Sequence, residues 1–476
     1  MNTKAGYRNV LVILILSLML MACGSTSSGP PGSDDPAPPG GAEPTGTAGD
    51  ANPVPSDLET PAPPQPTVPE SSGEYTGPEV EISVWTYPQD DASLKAYEKE
   101  FEQQNPKIRV KVVRYPEDGY VTKVNTALQA HKPPDVAVME NRAWMKAKRT
   151  VELTQYFPLW GVSVSDFNPG GLSRATTEGN VKEGVYGVGD FLGGNIIFYN
   201  KQLFKQAGVE PPPTDRSLTF AEYAEICRKL AKPDKNPGKA VYGCSVPDWG
   251  YGIQSRDVFG ADGHKAEGNM NSAEMARAWN LGTALVRDKM APSASFLGTL
   301  SAGESDLFAQ NRLGMTWSDF TEANKYKTNK IDFGLAPFFV LREGESFVDT
   351  WTAPWGTFTE SKNKEAALVF LRFMATEAQR IRMQVSADPP LSQKVADELG
   401  YGKDDPVKQQ YLEVLKNAKA QVFVPPGVEA WNPAEIERKM TVGKQTESKP
   451  LLDAAAKQSQ AQLDRAWRQW ERLGRE

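Results

Sequence analysis

Aromatic and hydrogen-bonding side chains stand together where two predicted strands end. Trp85 and Tyr87 close the first strand of the folded region, and Glu140 and Asn141 follow the strand over residues 135–139. In a sheet of parallel strands, ligands gather at the carboxyl ends of the strands, so these four residues are candidate ligand contacts. An aromatic plane can cover an apolar ligand face, and a carboxylate or amide can bind a hydroxyl group.

The residues of a hydrolytic or metal site are scarce. The chain has 2 histidines, His131 and His264, which excludes a histidine-rich metal centre, and neither lies in a nucleophile motif. We therefore expect no catalysis, no metal and no cofactor. The formal net charge of −7 and the lack of a basic stripe argue against nucleic acid as a partner.

The N-terminal residues have the pattern of a secretion signal. Lys4 and Arg8 precede an apolar run over residues 10–21, which is too short to span a bilayer as a helix. The run ends in Ala22-Cys23, a small residue followed by cysteine, which is typical of a bacterial lipobox. We predict a signal peptide over residues 1–22 and acylation of Cys23 outside the cytoplasm. An ordinary secretory signal with an unrelated cysteine is the alternative.

Residues 23–77 consist largely of Pro, Gly, Ser, Thr, Ala and Asp. Such a segment cannot bury enough apolar surface to offset its ordering entropy, so we expect a disordered tether. A low-complexity insert without function is the alternative, and the position directly after the lipid site favours the tether. The remaining residues, 78–476, exceed one typical core and predict two lobes.

Two further cysteines, Cys227 and Cys244, lie in a predicted helix and in the strand that follows it. A leftover pair outside the cytoplasm tends to be oxidised, so we expect a disulfide. Closing a loop of this size adds about 3 kcal/mol in the chain-entropy model. Two buried free thiols are the alternative.

Apolar patterns alternate along the chain between the period of a strand and that of a helix. Alternating strands and helices imply βαβ units and an α/β fold. Thr219 and Glu222 form a capping-box pattern at the start of one helix. Strands are predicted over 80–85, 108–113, 135–139, 195–200, 240–245, 313–317 and 333–337, and helices over 91–104, 120–130, 219–231, 272–289, 364–374 with a possible extension to 385, and 451–473.

Several segments, in order, resemble the extracellular solute-binding proteins of the sugar-binding class, the receptors of ABC importers to which maltose-binding protein belongs. The opening unit is ISVWTYPQDDASLKAYEKEFEQQNPKIRVKV, and PPDVAVMEN resembles the next strand of the family. The most characteristic stretch is GVYGVGDFLGGNIIFYNKQLFKQAGVEPPPT, and FAQNRLGMTWSDF and ESKNKEAALVFLRFMATEAQRIRM resemble a later strand and helix. The chain departs from the family pattern at TDRSLTFAEYAE, which affects a helix cap rather than the binding residues.

The resemblance implies a two-lobed periplasmic-binding-protein-like fold of type II, with a mainly parallel sheet flanked by helices in each lobe. Lobe one would hold about residues 78–189 and 334–386, and lobe two about 190–333 and 387–476. The solute would lie in a cleft at the hinge, and a transport permease would recognise the closed form. The resemblance also implies a monomer tied to the membrane through lipid and no enzymatic activity.

By the same resemblance the solute is a carbohydrate, with an oligosaccharide favoured. A sugar ring has apolar C–H faces and a rim of hydroxyls, so its receptor needs aromatic planes and fixed polar groups. Core packing is the alternative for each aromatic residue, and Trp279, Trp467 and Trp470 fit it. A solvated surface is the alternative for each carboxylate. The candidate ligand residues are Trp85, Tyr87, Glu140, Asn141, Asp190, Tyr199, Trp249, Trp317, Asp319, Trp351, Trp355 and Trp431.

Three other readings stay open at the level of the residues. The same fold could bind a polyamine, a peptide or a phosphate ester. A secreted glycoside hydrolase would use a pair of carboxylates, but the resemblance spans the whole domain and leaves no room for a separate catalytic one. A third reading is a sensor that reports the solute to a membrane kinase.

Overall fold

The computed structural model describes residues 74–87, 91–246, 254–426, 428, 432–443 and 445–473. The predicted signal peptide, Cys23, nearly all of the tether, Trp249 and Trp431 lie outside the described residues. Within these ranges no helix combines the length and apolar character needed to cross a membrane.

Ten strands in the described residues form two sheets. The first sheet has the strand order β2-β1-β3-β9, and the second has the order β10-β8-β4-β6-β5 with β7 paired to β4. The bounds are β1 Val80–Thr86, β2 Ile108–Arg114, β3 Val136–Val138, β4 Gly193–Asn200, β5 Tyr242–Cys244, β6 Leu313–Asp319, β7 Phe333–Ala336, β8 Val348–Trp351, β9 Trp355–Gly356 and β10 Ala418–Lys419.

The first sheet follows the strand–helix pattern that the sequence predicts. β1 pairs in parallel with β2, where Val84 faces Val112, and with β3, where Trp85 faces Ala137. Ile82 and Val84 are buried because alternate residues of a strand point to the same side of the sheet. β9 completes the sheet as an antiparallel edge strand. We call the body built around this sheet the first lobe.

The second sheet is mixed, whereas the resemblance predicts a mainly parallel sheet for lobe two. β4 runs antiparallel to β6, β7 and β8, while β5 is parallel to β6 and β10 is parallel to β8. β4 enters this sheet from the first lobe through the extended segment that precedes Gly193. We call the body built around this sheet the second lobe.

The border between the lobes also differs from the prediction near residue 334. β7 and β8 were assigned to lobe one, but both are hydrogen-bonded to β4 in the second sheet. The chain returns to the first sheet only at β9. The border therefore lies after Trp351, because pairing with Gly193–Asn195 holds β8 in the second lobe.

Helices cover both sheets, and their capping agrees with the sequence. Thr219 N donates to Glu222 Oε2 at 2.7 Å and Glu222 N donates to Thr219 Oγ1 at 3.2 Å, which confirms the predicted capping box. The long helix predicted from residue 364 is divided at Thr376 into two helices. The bounds are α1 Asp91–Gln104, α2 Glu117–Gln129, α3 Arg142–Lys146, α4 Pro169–Leu172, α5 Lys201–Ala207, α6 Phe220–Leu230, α7 Ser255–Phe259, α8 Ala273–Arg287, α9 Ala294–Leu297, α10 Gly303–Ala309, α11 Glu322–Thr328, α12 Lys364–Ala375, α13 Glu377–Val385, α14 Gln393–Leu399, α15 Pro406–Leu415, α16 Pro433–Thr441 and α17 Lys449–Leu473.

Extended segments over residues 189–192, 352–354 and 386–392 connect the lobes and pack against one another. A Cβ added at Gly189 would lie 1.8 Å from Thr352 Oγ1, so the close approach of the first two segments requires glycine. Leu192 N donates to Pro389 O at 2.9 Å and joins the first segment to the third. These contacts define the hinge region of the molecule.

A disulfide joins Cys227 of α6 to Cys244 of β5, with a Cα–Cα distance of 5.1 Å. Both residues are fully buried in the apolar core of the second lobe. The bond ties a covering helix to the strand beneath it.

Candidate functional site

Three of the predicted ligand residues meet at the end of the first sheet. Tyr87 follows β1 and Glu140 follows β3, and the Tyr87 hydroxyl donates to Glu140 Oε1 at 2.6 Å. Trp85 is half-buried and makes an edge contact with Tyr115 at a centroid distance of 4.9 Å. The parallel pairing of β1 and β3 brings these residues together, as the sequence predicts.

Glu140 has the surroundings of a residue that lines a cleft. Its side chain is accessible to solvent, yet protein atoms surround it closely enough for desolvation to raise the pKa of its carboxyl. The hydrogen bond from Tyr87 and the positive charges of Arg174 and Arg142 oppose this rise. Burial and the neighbouring Glu140 charge raise the pKa of Tyr87, so the phenol stays a hydrogen-bond donor.

An ion pair across the two lobes was missed by the sequence analysis. Arg174, in a turn of the first lobe, lies with Nη2 3.6 Å from Asp349 Oδ2 on β8 of the second lobe. Desolvation raises the pKa of Asp349, and the charge of Arg174 opposes the rise. We call Tyr87, Glu140, Arg174 and Asp349 the cleft cluster. Arg174 lies in a loop and Asp349 inside a strand, so neither stood at a predicted strand end.

Asp319 belongs to a polar row that crosses the second sheet. Asn195 of β4 pairs with Asp349 on one side and with Asp319 on the other. Asp319 Oδ1 accepts from Thr321 N at 2.9 Å, while Oδ2 is buried without a hydrogen-bond partner among the described residues. Burial raises the pKa of Asp319. Cross-strand neighbours lie about 5 Å apart at Cβ, so the row presents closely spaced polar groups.

Two predicted tryptophans lie on the second sheet and are half-buried. Trp317 makes an edge contact with Phe338 at 5.9 Å, and its indole Nε1 has no hydrogen-bond partner among the described residues. Trp351 makes an edge contact with Phe191 at 5.1 Å and lies over Gly193, where an added Cβ would come within 2.6 Å of its ring. Both have ring surface left for a solute.

Asn141 serves as the N-cap of a helix in this region. It caps α3, accepting a hydrogen bond from Ala143 N at 2.9 Å, and its side chain is buried. Its Nδ2 group has no partner within the described ranges. Asn141 follows β3 next to Glu140, at the strand end where the sequence analysis placed it. Its side-chain oxygen is already used as a hydrogen-bond acceptor in the helix cap.

Tyr199 and Trp355 are in the core and not on the cleft. Tyr199 is 6% exposed and packs on Phe204 at 5.3 Å, and Trp355 is 1% exposed within β9. Tyr199 was predicted to bind the solute because it lies at the Tyr-Asn position of the family, and Trp355 because it falls at a loop end, but their strands point both side chains inward. We do not propose either as a ligand contact.

Asp190 lies in a buried charge cluster at the hinge rather than in the cleft. It accepts from the Tyr97 hydroxyl at 2.7 Å, and Arg382 Nη1 lies 3.5 Å from its Oδ2. Arg382 Nη2 also pairs with Asp388 Oδ2 at 2.9 Å. Burial and the charge of Asp319 raise the pKa of Asp388 to about 7. Asp190 was chosen for its place at the crossover, and its partners there are protein groups.

Two negative observations limit what else this part of the chain holds. No cluster of three or more metal-ligating side chains occurs in the ranges that the structure covers. A surface cavity of about 540 Å³ lies between α8 and the start of α17, and it contains none of the predicted ligand residues.

The family of the protein follows from a match to its sequence profile. Residues 85–381 match the family described as "Bacterial extracellular solute-binding protein", which is more than half of the chain. The chain belongs to this family. Its members are binding proteins of transporters rather than enzymes, and the family places the protein outside the cytoplasm.

Individual relatives agree with this assignment. A putative binding protein of Brucella abortus is 23% identical over 378 residues, which cover 75% of this chain and 87% of the relative. A multiple sugar-binding protein of Streptococcus mutans is 32% identical over 152 residues, covering 31% of this chain and 32% of the relative. The structure of an ABC substrate-binding protein from Listeria monocytogenes in complex with cycloalternan matches with a TM-score of 0.65 and 23% identity, covering 81% of this chain and 98% of that one. The two-lobed α/β architecture is thereby confirmed.

Proposed function

We propose that this protein captures a carbohydrate in the cleft between its lobes and delivers it to the permease of an ABC importer. The observation that carries the proposal is the cleft cluster. Tyr87, Glu140 and Arg174 come from the first lobe, and Asp349 comes from the second. A solute held by both sides would draw the lobes together, which is the hinge closure that a receptor needs.

The chemistry of the cleft cluster suits a neutral polyhydroxylated ring. Its four groups offer two carboxylates as acceptors, and a phenol and a guanidinium as donors, so the positive charge of Arg174 partly offsets the negative charges of Glu140 and Asp349. Trp85, Trp317 and Trp351 are half-buried and can cover the C–H faces of a sugar. The cycloalternan complex of the Listeria protein and the name of the Streptococcus protein support a carbohydrate as the solute.

Membrane attachment through Cys23 is part of the same proposal. The lipobox pattern and the Pro- and Gly-rich segment after it support a lipid anchor with a tether. Such an anchor would keep the receptor near its permease while leaving it free to turn.

A screen of mono- and oligosaccharides by thermal shift tests the carbohydrate. A solute that binds only the folded state raises the melting temperature. At a free concentration of a hundred times its dissociation constant, the solute adds about 2.7 kcal/mol to the free energy of unfolding. We expect a hit whose shift is largely lost in Glu140→Gln, which keeps the shape of the side chain but weakens its hydrogen bonds to hydroxyls. Glu413→Gln is the matched control, since Glu413 is exposed and pairs only locally with Lys416. A shift that survives Glu140→Gln, or a hit confined to non-sugar solutes, would overturn the proposal.

A further inference from the structure

The C-terminal helix α17 belongs to both lobes. It is 25 residues long, which corresponds to roughly 37 Å at the rise of an α-helix. Leu452, Ala456 and Leu463 pack in the core of the second lobe. Trp470 and Leu473 instead pack in the larger core, which includes the first sheet and part of the second, and the helix contacts α3 of the first lobe. A single buried stripe of the helix therefore changes from one lobe to the other along its length.

The first part of α17 is fixed to the second lobe by polar contacts as well. Gln460 Oε1 accepts from Ala266 N at 2.7 Å, and Asp453 Oδ1 accepts from Asn271 Nδ2 at 2.6 Å. Trp467 Nε1 donates to Gly263 O at 2.8 Å, and the ring of His264 stacks on Trp467 at 3.9 Å. This part of the helix moves with the second lobe.

The last turn reaches the first lobe through Trp470. Its Nε1 donates to Glu178 Oε1 at 2.7 Å, and the same carboxylate accepts from Lys146 Nζ at 2.5 Å. The Lys146 ammonium lies 5.4 Å from the Trp470 ring. Burial alone would raise the pKa of Glu178, but the hydrogen bonds from Lys146 and Trp470 hold it below its usual value, so the acceptor is charged at neutral pH.

A second contact between the lobes lies beside the first. Phe423, in the segment after β10, packs on Trp470 at 4.8 Å, and the guanidinium of Arg142 lies 5.2 Å from the Phe423 ring. Arg142 is two residues from Glu140 of the cleft cluster. Both contacts therefore lie on the side of the molecule where the cleft residues stand.

We propose that the end of α17 is a strap that holds the lobes together in the arrangement seen here, without help from a solute. A helix anchored over most of its length to one lobe cannot stretch. Any rotation of the lobes about the hinge must therefore break the contact of Trp470 with Glu178 and that of Phe423 with Arg142, or bend the helix. The strap would set how far the cleft opens, and with it the energy that a solute must supply to close it.

The inference rests on lobe movement, which is part of the proposed function, but its test needs no solute. Spin labels on Lys111→Cys of β2 and Arg277→Cys of α8 report the distance between the lobes, since both residues are exposed. The full-length chain with Cys23→Ser is used, so that no third thiol is labelled. Pulsed electron paramagnetic resonance then gives the distance distribution for each variant.

Three substitutions separate a strap from ordinary core packing. Trp470→Phe keeps an aromatic ring but removes the donor to Glu178, and Glu178→Gln weakens the same bond from the other side without a buried substitution. Trp467→Phe is the matched control, because it lies on the same helix but donates to Gly263 within the second lobe. We expect the first two to lengthen and broaden the interlobe distance by several ångströms and the third to leave it unchanged.

Two results would overturn the strap. One is an unchanged distance distribution in both Trp470→Phe and Glu178→Gln. The other is an equal broadening in Trp467→Phe, which would show general loosening of α17 instead of release from the first lobe. Because the readout does not depend on which solute binds, the strap can hold even if the carbohydrate screen fails.

Discussion

At the scale of single residues, position at a strand end and accessibility together separate candidate ligand contacts from core. Trp85, Tyr87 and Glu140 stand where the parallel pairing of β1 and β3 predicts them. Tyr199 and Trp355 show the limit of that logic. Tyr199 matches a family position and Trp355 falls at a predicted loop end, but the strand faces that carry them are buried.

Trp317 allows the sharpest test at this scale. Trp317→Ala should remove most of the thermal shift produced by a sugar, because a stacking plane is lost. The ring is only half-buried, so the unliganded protein should lose clearly less stability than the 3–5 kcal/mol typical of a fully buried tryptophan. Trp355→Ala, in the core, is the matched comparison. Equal losses of unliganded stability in the two variants would mean that Trp317 is a packing residue.

The cleft residues that the sequence analysis did not identify are those whose interaction partners lie far away in the sequence. Arg174 and Asp349 are separated by 175 positions (349 minus 174), and only the packing of one lobe on the other brings their charges together. Asp190 is the opposite case. The sequence analysis chose it for its place at the lobe crossover. Its carboxylate, however, binds Tyr97 and Arg382, which come from helices before and after it in the sequence.

At the scale of elements, local signals predicted the longer strands and several helices, but they missed the short strands β8, β9 and β10 and the antiparallel pairing around β4. The capping box at Thr219 and the alternation in β1 depend on neighbouring residues, so they are visible in the sequence. The antiparallel pairing of β4 with β8 depends instead on the path that the chain takes when it passes from one lobe to the other. No local pattern encodes that path.

The third crossing segment contains a group that should make stability depend on pH. Asp388 is buried next to Asp319, and its pKa in the folded protein is about 7, against about 4 in an unfolded chain. Between these values the folded state binds more protons, so this contribution to stability is complete below about pH 4 and is lost as pH rises through 7. The charge of Arg382, 2.9 Å away, opposes the effect without cancelling the cost of burial.

Asp388→Asn removes this titration and keeps the shape of the side chain. The free energy of unfolding of the unsubstituted protein should therefore fall relative to that of the variant between pH 5 and pH 8, by no more than about 4 kcal/mol for a shift of about three units. Urea unfolding at a series of pH values measures the difference. A difference that stays constant with pH would show that the Asp388 proton is already lost at pH 5.

At the scale of the whole molecule, the hinge region and the proposed strap would act on the same movement of the lobes from two places. Gly189, Thr352 and Pro389 lie where the connecting segments pack, and Trp470 lies where α17 meets the first lobe. The hinge region would fix the axis of rotation, while the strap would limit its extent. A receptor with both could keep its cleft partly closed between solutes, which lowers the ordering cost of capture.

The position of this two-lobed body relative to the membrane is the remaining property of the whole molecule, and the proposed lipid on Cys23 would set it. If the lipobox is processed, Cys23→Ala should move the protein from the membrane fraction to the soluble fraction of cells that make it. Binding of the solute should be unchanged, because residue 23 precedes the first described strand by more than fifty positions in the sequence. Solute uptake should fall, since a released receptor is diluted away from its permease and loses the effective concentration that a tether provides. Fractionation, thermal shift and uptake measured on the same variant separate these effects, and a Cys23→Ala protein that stays in the membrane fraction would contradict the anchor.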